Sequence, residues 1–101
     1  MHLVQILLPL YDNDGRPQPR DAFARVRTEL AERYDGLTAY TRAPAEGLWR
    51  SEGETARDDV VLFEVMVPEL DAAWWRAYGR DLAARFRQEV VLIRAHPVQV
   101  L

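Results

Sequence analysis

Val60-Val61-Leu62-Phe63-Glu64-Val65-Met66-Val67 is the strongest strand signal in the chain. β-Branched and aromatic side chains fill it, and these pack well on a pleated surface. Its near-continuous apolar character predicts a central strand covered on both faces. A helix follows, opened by Pro68 and Asp71 and carrying the stripe Trp75, Tyr78, Leu82 and Phe86. Val90–Ala95 then reads as the last strand, with Pro97 and a short extended tail behind it.

Upstream, Leu37–Arg42 reads as a strand stopped by Ala43-Pro44. Gly47-Leu48-Trp49-Arg50 either continues it past a bulge or forms a small extra strand, and Ser51–Asp59 is a hairpin or loop. A helix with the stripe Phe23, Val26, Leu30 and Tyr34 precedes that strand. Asp35-Gly36 is expected to end it, with glycine in the left-handed conformation. Residues 3–11 form the first strand, and Asp12-Asn13-Asp14-Gly15 has the residues of a turn. The order is β-α-β-β-α-β. It predicts an α+β, ferredoxin-like sandwich: one domain over 1–101, a four-stranded antiparallel sheet in the order 4-1-3-2, and two helices on one face.

Composition narrows the chemistry. The chain has 101 residues, one domain's worth, and its hydrophobic share of 49% is too high for disorder. A net charge of -3 argues against nucleic acid as a partner. Cysteine is absent, and every one of the 13 basic residues is arginine, so thiolate and lysine-based catalysis are excluded. Ser51 stands alone outside any nucleophile elbow, and His2 and His96 are too few for a three-histidine metal site. Neither Asp12/Asp14 nor Asp58-Asp59 is spaced as a calcium loop, so no metal is expected, and no cofactor motif occurs. Leu3–Leu10 is far shorter than the roughly 20 residues that span a bilayer. With no basic start or cleavage pattern, the expectation is a cytoplasmic protein without a membrane partner.

Two helices cover only one face of such a sheet. Alternation puts Val4, Ile6, Leu8, Val61, Phe63, Val65, Val91 and Ile93 beneath them. Leu3, Gln5, Leu7, Val60, Leu62, Glu64, Met66, Val90, Leu92, Arg94 and His96 fall on the open face. That face is mostly aliphatic, and monomers rarely keep such a patch uncovered, so a face-to-face homodimer is expected. Glu64 and Arg94 can pair there, within or between subunits, with Gln5 as a bridge. The trio either satisfies itself and sets the register of an interface, or lines a cavity and orients a small molecule.

Further candidates are Trp49 and Arg50, as an interface anchor, a ligand contact or a lid over the core's edge, and Tyr40, as a phenol at a strand end. His96 qualifies as a general base at the rim of the open face, with an ordinary pKa of about 6.5. Trp74, adjacent to Trp75, is expected to be partly exposed or at a subunit contact.

Several segments together resemble a small bacterial family of domains of unknown function. They are Asp35-Gly36-Leu37-Thr38, Gly47-x-Trp49-Arg50 with Gly53, Arg85-Phe86-x-Gln88-Glu89-x-Val91-Leu92, and Pro97-Val98-x-Val100. The resemblance implies a ferredoxin-like domain without an assigned activity; many members carry an export segment, which this sequence does not show. More distantly, the topology is similar to that of dimeric α/β-barrel proteins. Three readings stay open. The first is a homodimer holding a small, mostly apolar ligand through Gln5, Glu64, Arg94, Tyr40, Trp49 and Arg50. The second is a cofactor-independent monooxygenase or isomerase, with Glu64 or His96 as base and Arg94 with Gln5 holding an enolate-like oxygen. The third is a regulatory module that pairs through an edge strand.

Overall fold

A computed structural model of the chain describes residues 1–35 and 60–101 in full. Between them it describes only the backbone of Leu37–Ala43, Arg50–Ser51 and Glu54–Thr55. The architecture is α+β: two helices, among the described residues, against an antiparallel sheet. The elements are β1 (His2–Pro9), α1 (Arg20–Arg33), β2 (Leu37–Ala43), β3 (Arg50–Ser51), β4 (Glu54–Thr55), β5 (Val60–Val67), α2 (Ala72–Arg85) and β6 (Leu92–Pro97).

β1 lies between β5 and β6, antiparallel to both, with Gln5 in register with Glu64 on one side and Arg94 on the other. The backbone of β2 pairs along the far edge of β5, giving the order β2-β5-β1-β6, with an irregularity between Thr41 and Ala43. β3 and β4 form a separate short hairpin. Gly36, Gly47–Trp49 and the expected helix closure at Gly36 lie outside the described residues.

One face of the sheet is sealed. Val4, Ile6, Leu8, Val61, Phe63, Val65, Val67 and Val91 are buried with Val26 and Leu30 of α1 and with Trp75, Tyr78 and Leu82 of α2 and Phe86 just after it. Each such side chain contributes about 1.5–3 kcal/mol by leaving water. β5 alternates strictly between this core, which the helices shield, and the other side, where Val60, Leu62 and Glu64 are part-buried and Met66 is exposed.

Helix and strand ends have specific causes. Asp71 caps α2 by accepting a hydrogen bond from the Trp74 N–H at 3.1 Å. α2 closes in a six-residue hydrogen-bonded turn, Gln88 N–H to the Ala83 carbonyl at 2.9 Å and Arg87 N–H to that of Ala84 at 3.3 Å. Arg87 takes the left-handed conformation there, φ 51, without being glycine. α1 ends differently: Tyr34 is already extended. In the first turn the Asp12 carboxylate accepts from the N–H groups of Asp14 and Arg16, each at 2.9 Å, and Gly15 has φ 77.

Two boundaries move from the sequence expectation. β1 stops at Pro9, and Tyr11 forms only an isolated bridge with Pro17. β6 starts at Leu92, two residues late, and runs to Pro97 because β1 offers partners as far as His2. The Val98 N–H then reaches the Met1 carbonyl at 3.0 Å. Proline is tolerated at that point because β6 is an edge strand.

The helices are also tied by charge. Arg85 grips Glu29 with two hydrogen bonds of 2.6 and 2.9 Å, and the Tyr78 hydroxyl donates to the same carboxylate at 3.0 Å. Arg85 also meets Asp81 at 2.7 Å. The hydrogen bonds from Arg85 outweigh burial and, with that from Tyr78, hold the Glu29 carboxyl below the ordinary range. Burial first, and the Glu29 hydrogen bond second, push the Tyr78 phenol upward. Nearby, the Arg33 guanidinium lies 4.1 Å from the Trp74 ring centroid, so Trp74 is covered by a cation and by the neighbouring rings of Trp75 and Tyr78.

Candidate functional site

Strand alternation brings Gln5, Glu64 and Arg94 to one row across the open face. Their positions follow from register alone, since Gln5 opposes Glu64 on β5 and Arg94 on β6. The Gln5 amide spends both ends on its neighbours. Its Nε2 donates to Glu64 Oε2 at 2.8 Å, and its Oε1 accepts from Arg94 Nε at 2.7 Å. The carboxylate and the guanidinium thus fix which way the amide points. β2 extends the row at backbone level, with Thr38 in register with Glu64.

A direct Glu64–Arg94 pair does not form within the chain. The two residues stand two strands apart, about 10 Å at the usual strand spacing, and Gln5 fills the gap. This corrects the expectation of an intrachain ion pair, while the bridging role expected of Gln5 is what the geometry shows. Among the described residues Glu64 consequently meets a neutral amide rather than a cation.

Mostly apolar rows flank the polar one. On one side Leu62, Leu7 and Leu92 stand in register, with the backbone of Tyr40 next to Leu62. On the other side Met66, Leu3 and His96 do the same. Leu92 is 49% exposed and Met66 40%. His96 is exposed and makes no hydrogen bond or ion pair among the described residues, so it stands one row from Arg94 without contacting the trio. Trp49 and the side chains of Tyr40 and Arg50 lie outside the described residues.

Among the described residues the open face offers a surface rather than a cleft. A cavity of about 330 Å³ lies between α2 and the start of β6, and another of about 480 Å³ lies between α1 and the ends of β1 and β5. Neither is lined by Gln5, Glu64 or Arg94. A ligand held by the trio therefore needs a second wall from elsewhere. Among the described residues no group of three His, Asp or Glu side chains is placed to hold a metal ion, and no helix is long and apolar enough to cross a membrane.

Sequence reading missed the Glu29–Arg85–Tyr78 cluster and the two glutamines that anchor the loops. Gln18 Nε2 donates to the Phe86 carbonyl at 2.6 Å, and Gln88 Nε2 to that of Tyr11 at 3.1 Å. These explain much of the Arg85-Phe86-x-Gln88 segment as structural, since Phe86 also packs 5.3 Å from the Phe23 ring. The i,i+4 charges Arg25/Glu29 and Asp81/Arg85 were the only local signal for the cluster. No protein-family model, curated protein or solved structure matches this chain.

Proposed function

We propose that the chain is a ferredoxin-like domain that pairs with a second copy through its open sheet face and holds a small, mostly apolar molecule between the two sheets. The element order and the strand order β2-β5-β1-β6 support the ferredoxin-like reading, and with it the likeness to dimeric α/β-barrel proteins. One observation carries the functional part: a hydrogen-bonded Glu64–Gln5–Arg94 row lies between two mostly apolar rows on a face that the described residues leave uncovered. A second sheet would hide the leucines and supply the wall that a ligand cavity needs. Glu64 and Arg94 retain donor and acceptor capacity beyond Gln5, which suits a ligand with one or two polar atoms on an apolar body.

Native mass spectrometry of the freshly purified protein tests this directly. A dimer with extra non-peptide mass supports both parts, and a clean dimer removes the ligand. A monomer at micromolar concentration overturns the reading.

A second reading has one observation in its favour. Among the described residues Glu64 meets the Gln5 amide and no cation, while Arg94 stands two strands away to hold developing negative charge on oxygen. In that case the dimer is a cofactor-independent monooxygenase or isomerase. Arg94→Ala would then abolish turnover of the identified ligand and leave the dimer intact.

A further inference from the structure

Among the described residues the far side of β6 hydrogen-bonds to no strand, because the sheet ends there. Such an edge presents a row of backbone donors and acceptors that another chain can use, and proteins usually blunt it with charge or cover it. Here the start of the edge is apolar, with Arg94 and His96 further along its open-face side. Leu92 is 49% exposed on the open face, and Val90 just ahead of the strand is 77% exposed. On the helix side Val91 and Ile93 form the floor of the groove of about 330 Å³ that runs between β6 and α2. Gly79 lets the helix come down tightly at one point, where a Cβ would meet Ile93 Cδ1 at 3.3 Å.

The groove's rim has a definite charge. Arg76 and Arg80, one helical turn apart, both line it, and only Glu89 opposes them. Neither arginine has an ion pair or hydrogen bond among the described residues, in contrast to Arg85 on the same helix. Two like charges at that spacing repel, so an incoming anion relieves the rim.

We propose that the edge of β6, with the Arg76–Arg80 rim of α2, is a docking site for an extended acidic segment of a partner protein that adds to the sheet as a further strand. Backbone hydrogen bonds to β6 supply affinity. Alternation supplies selectivity: acidic side chains on the helix side reach Arg76 and Arg80, and apolar ones on the other side lie beside Leu92. A second copy is the poorer occupant. Two β6 edges paired about a two-fold axis would bring both copies' Arg76, Arg80 and Arg94 to the same seam, where like charges repel. The backbone edge of β6 and the Arg76–Arg80 rim lie off the open face, and Leu92 is shared with it.

The test is a titration of the isotope-labelled full chain, followed by amide NMR. The probes are three blocked hexapeptides: Glu-Val alternating, Lys-Val alternating, and the Glu-Val sequence with a central proline. The Glu-Val peptide is expected to shift amides of Leu92–Pro97, Arg76 and Arg80 and to slow exchange along β6. It should bind at least about tenfold more tightly than the Lys-Val peptide, a difference of 1.4 kcal/mol. Proline removes a ladder donor and should cost a similar factor. Arg76→Glu with Arg80→Glu, both exposed and so harmless to folding, should reverse the preference between Glu and Lys. No response at millimolar peptide, equal response to Glu and Lys peptides, or undiminished binding of the proline peptide overturns the proposal. So do shifts confined to Leu3 and Leu7, which would place the peptide on the open face instead.

Discussion

Val4, Ile6 and Leu8 alternate along β1 with Leu3, Gln5 and Leu7, yet the two sets meet different surroundings. The first three are sealed beneath the helices, while the second three are only partly covered and carry a polar group among them. The same division runs along β5, where Phe63 and Val65 are buried and Glu64 and Met66 are not. Residues one step apart therefore answer to different requirements. The helix side decides whether the chain folds, and the open side decides what the folded chain meets.

The largest test of that division is Phe63→Ala. Phe63 is fully buried, and its truncation should cost about 3–5 kcal/mol, a large part of the roughly 5–15 kcal/mol that holds a domain together. Met66→Ala, on the other side of the same strand, should cost less than about 1 kcal/mol. Urea denaturation of both variants gives the comparison, and equal losses would break it. Next comes Leu7→Glu, which places a charge among Leu62, Leu7 and Leu92 on the open face. Sedimentation should show dimer dissociation strengthened by about 100-fold, or roughly 2.7 kcal/mol, with the far-ultraviolet circular dichroism unchanged. A collapsed spectrum would mean that the open face supports folding after all.

Smaller effects refine the helix side alone. Glu29→Gln removes the anion that Arg85 and Tyr78 share and should cost about 1–2 kcal/mol, after allowing for its partial exposure. Acid should reproduce part of that loss. The folded carboxyl titrates below its unfolded value of about 4.3, so its contribution is complete above that pH and fades as pH falls through the lower folded value. Thermal melts between pH 3 and pH 6 would show this slope in the parent and a shallower one in the variant. The smallest change has the opposite sign. Arg87→Gly should raise stability by about 0.5–1 kcal/mol, because φ 51 strains any residue with a Cβ. An unchanged or lower melting temperature would contradict it.

The extent to which the sequence foretold this depends on how local each determinant is. Val60–Val67 and the stripe Trp75, Tyr78, Leu82 and Phe86 were legible because alternation and helical spacing act within a few residues. Helix ends were less legible for a physical reason. Glycine is the cheapest left-handed residue, yet α2, with no glycine at its end, forces Arg87 into that conformation. The start of β6 was missed because pairing with β1, rather than the propensity of Val90 and Val91, sets where the ladder begins. Of the open-face trio, the residues and the bridge were visible from alternation, and the order 4-1-3-2 already set Gln5's strand between those of Glu64 and Arg94. The Glu29–Arg85 clamp joins residues 56 apart and left no trace beyond two local charge pairs.

The central place of β1 bears on how the chain is made. It is synthesised first but pairs only with strands that come much later, as the bonds from Gln5 to Glu64 and Arg94, 59 and 89 residues away, illustrate. Loops that long must close before those contacts stabilise anything, and such topologies fold in milliseconds to seconds rather than microseconds. On a ribosome adding about 5–20 residues per second, β1 waits several seconds for its last partner. During that interval Leu3–Leu8 is an unpaired apolar strand, the segment most exposed to premature association in the nascent chain.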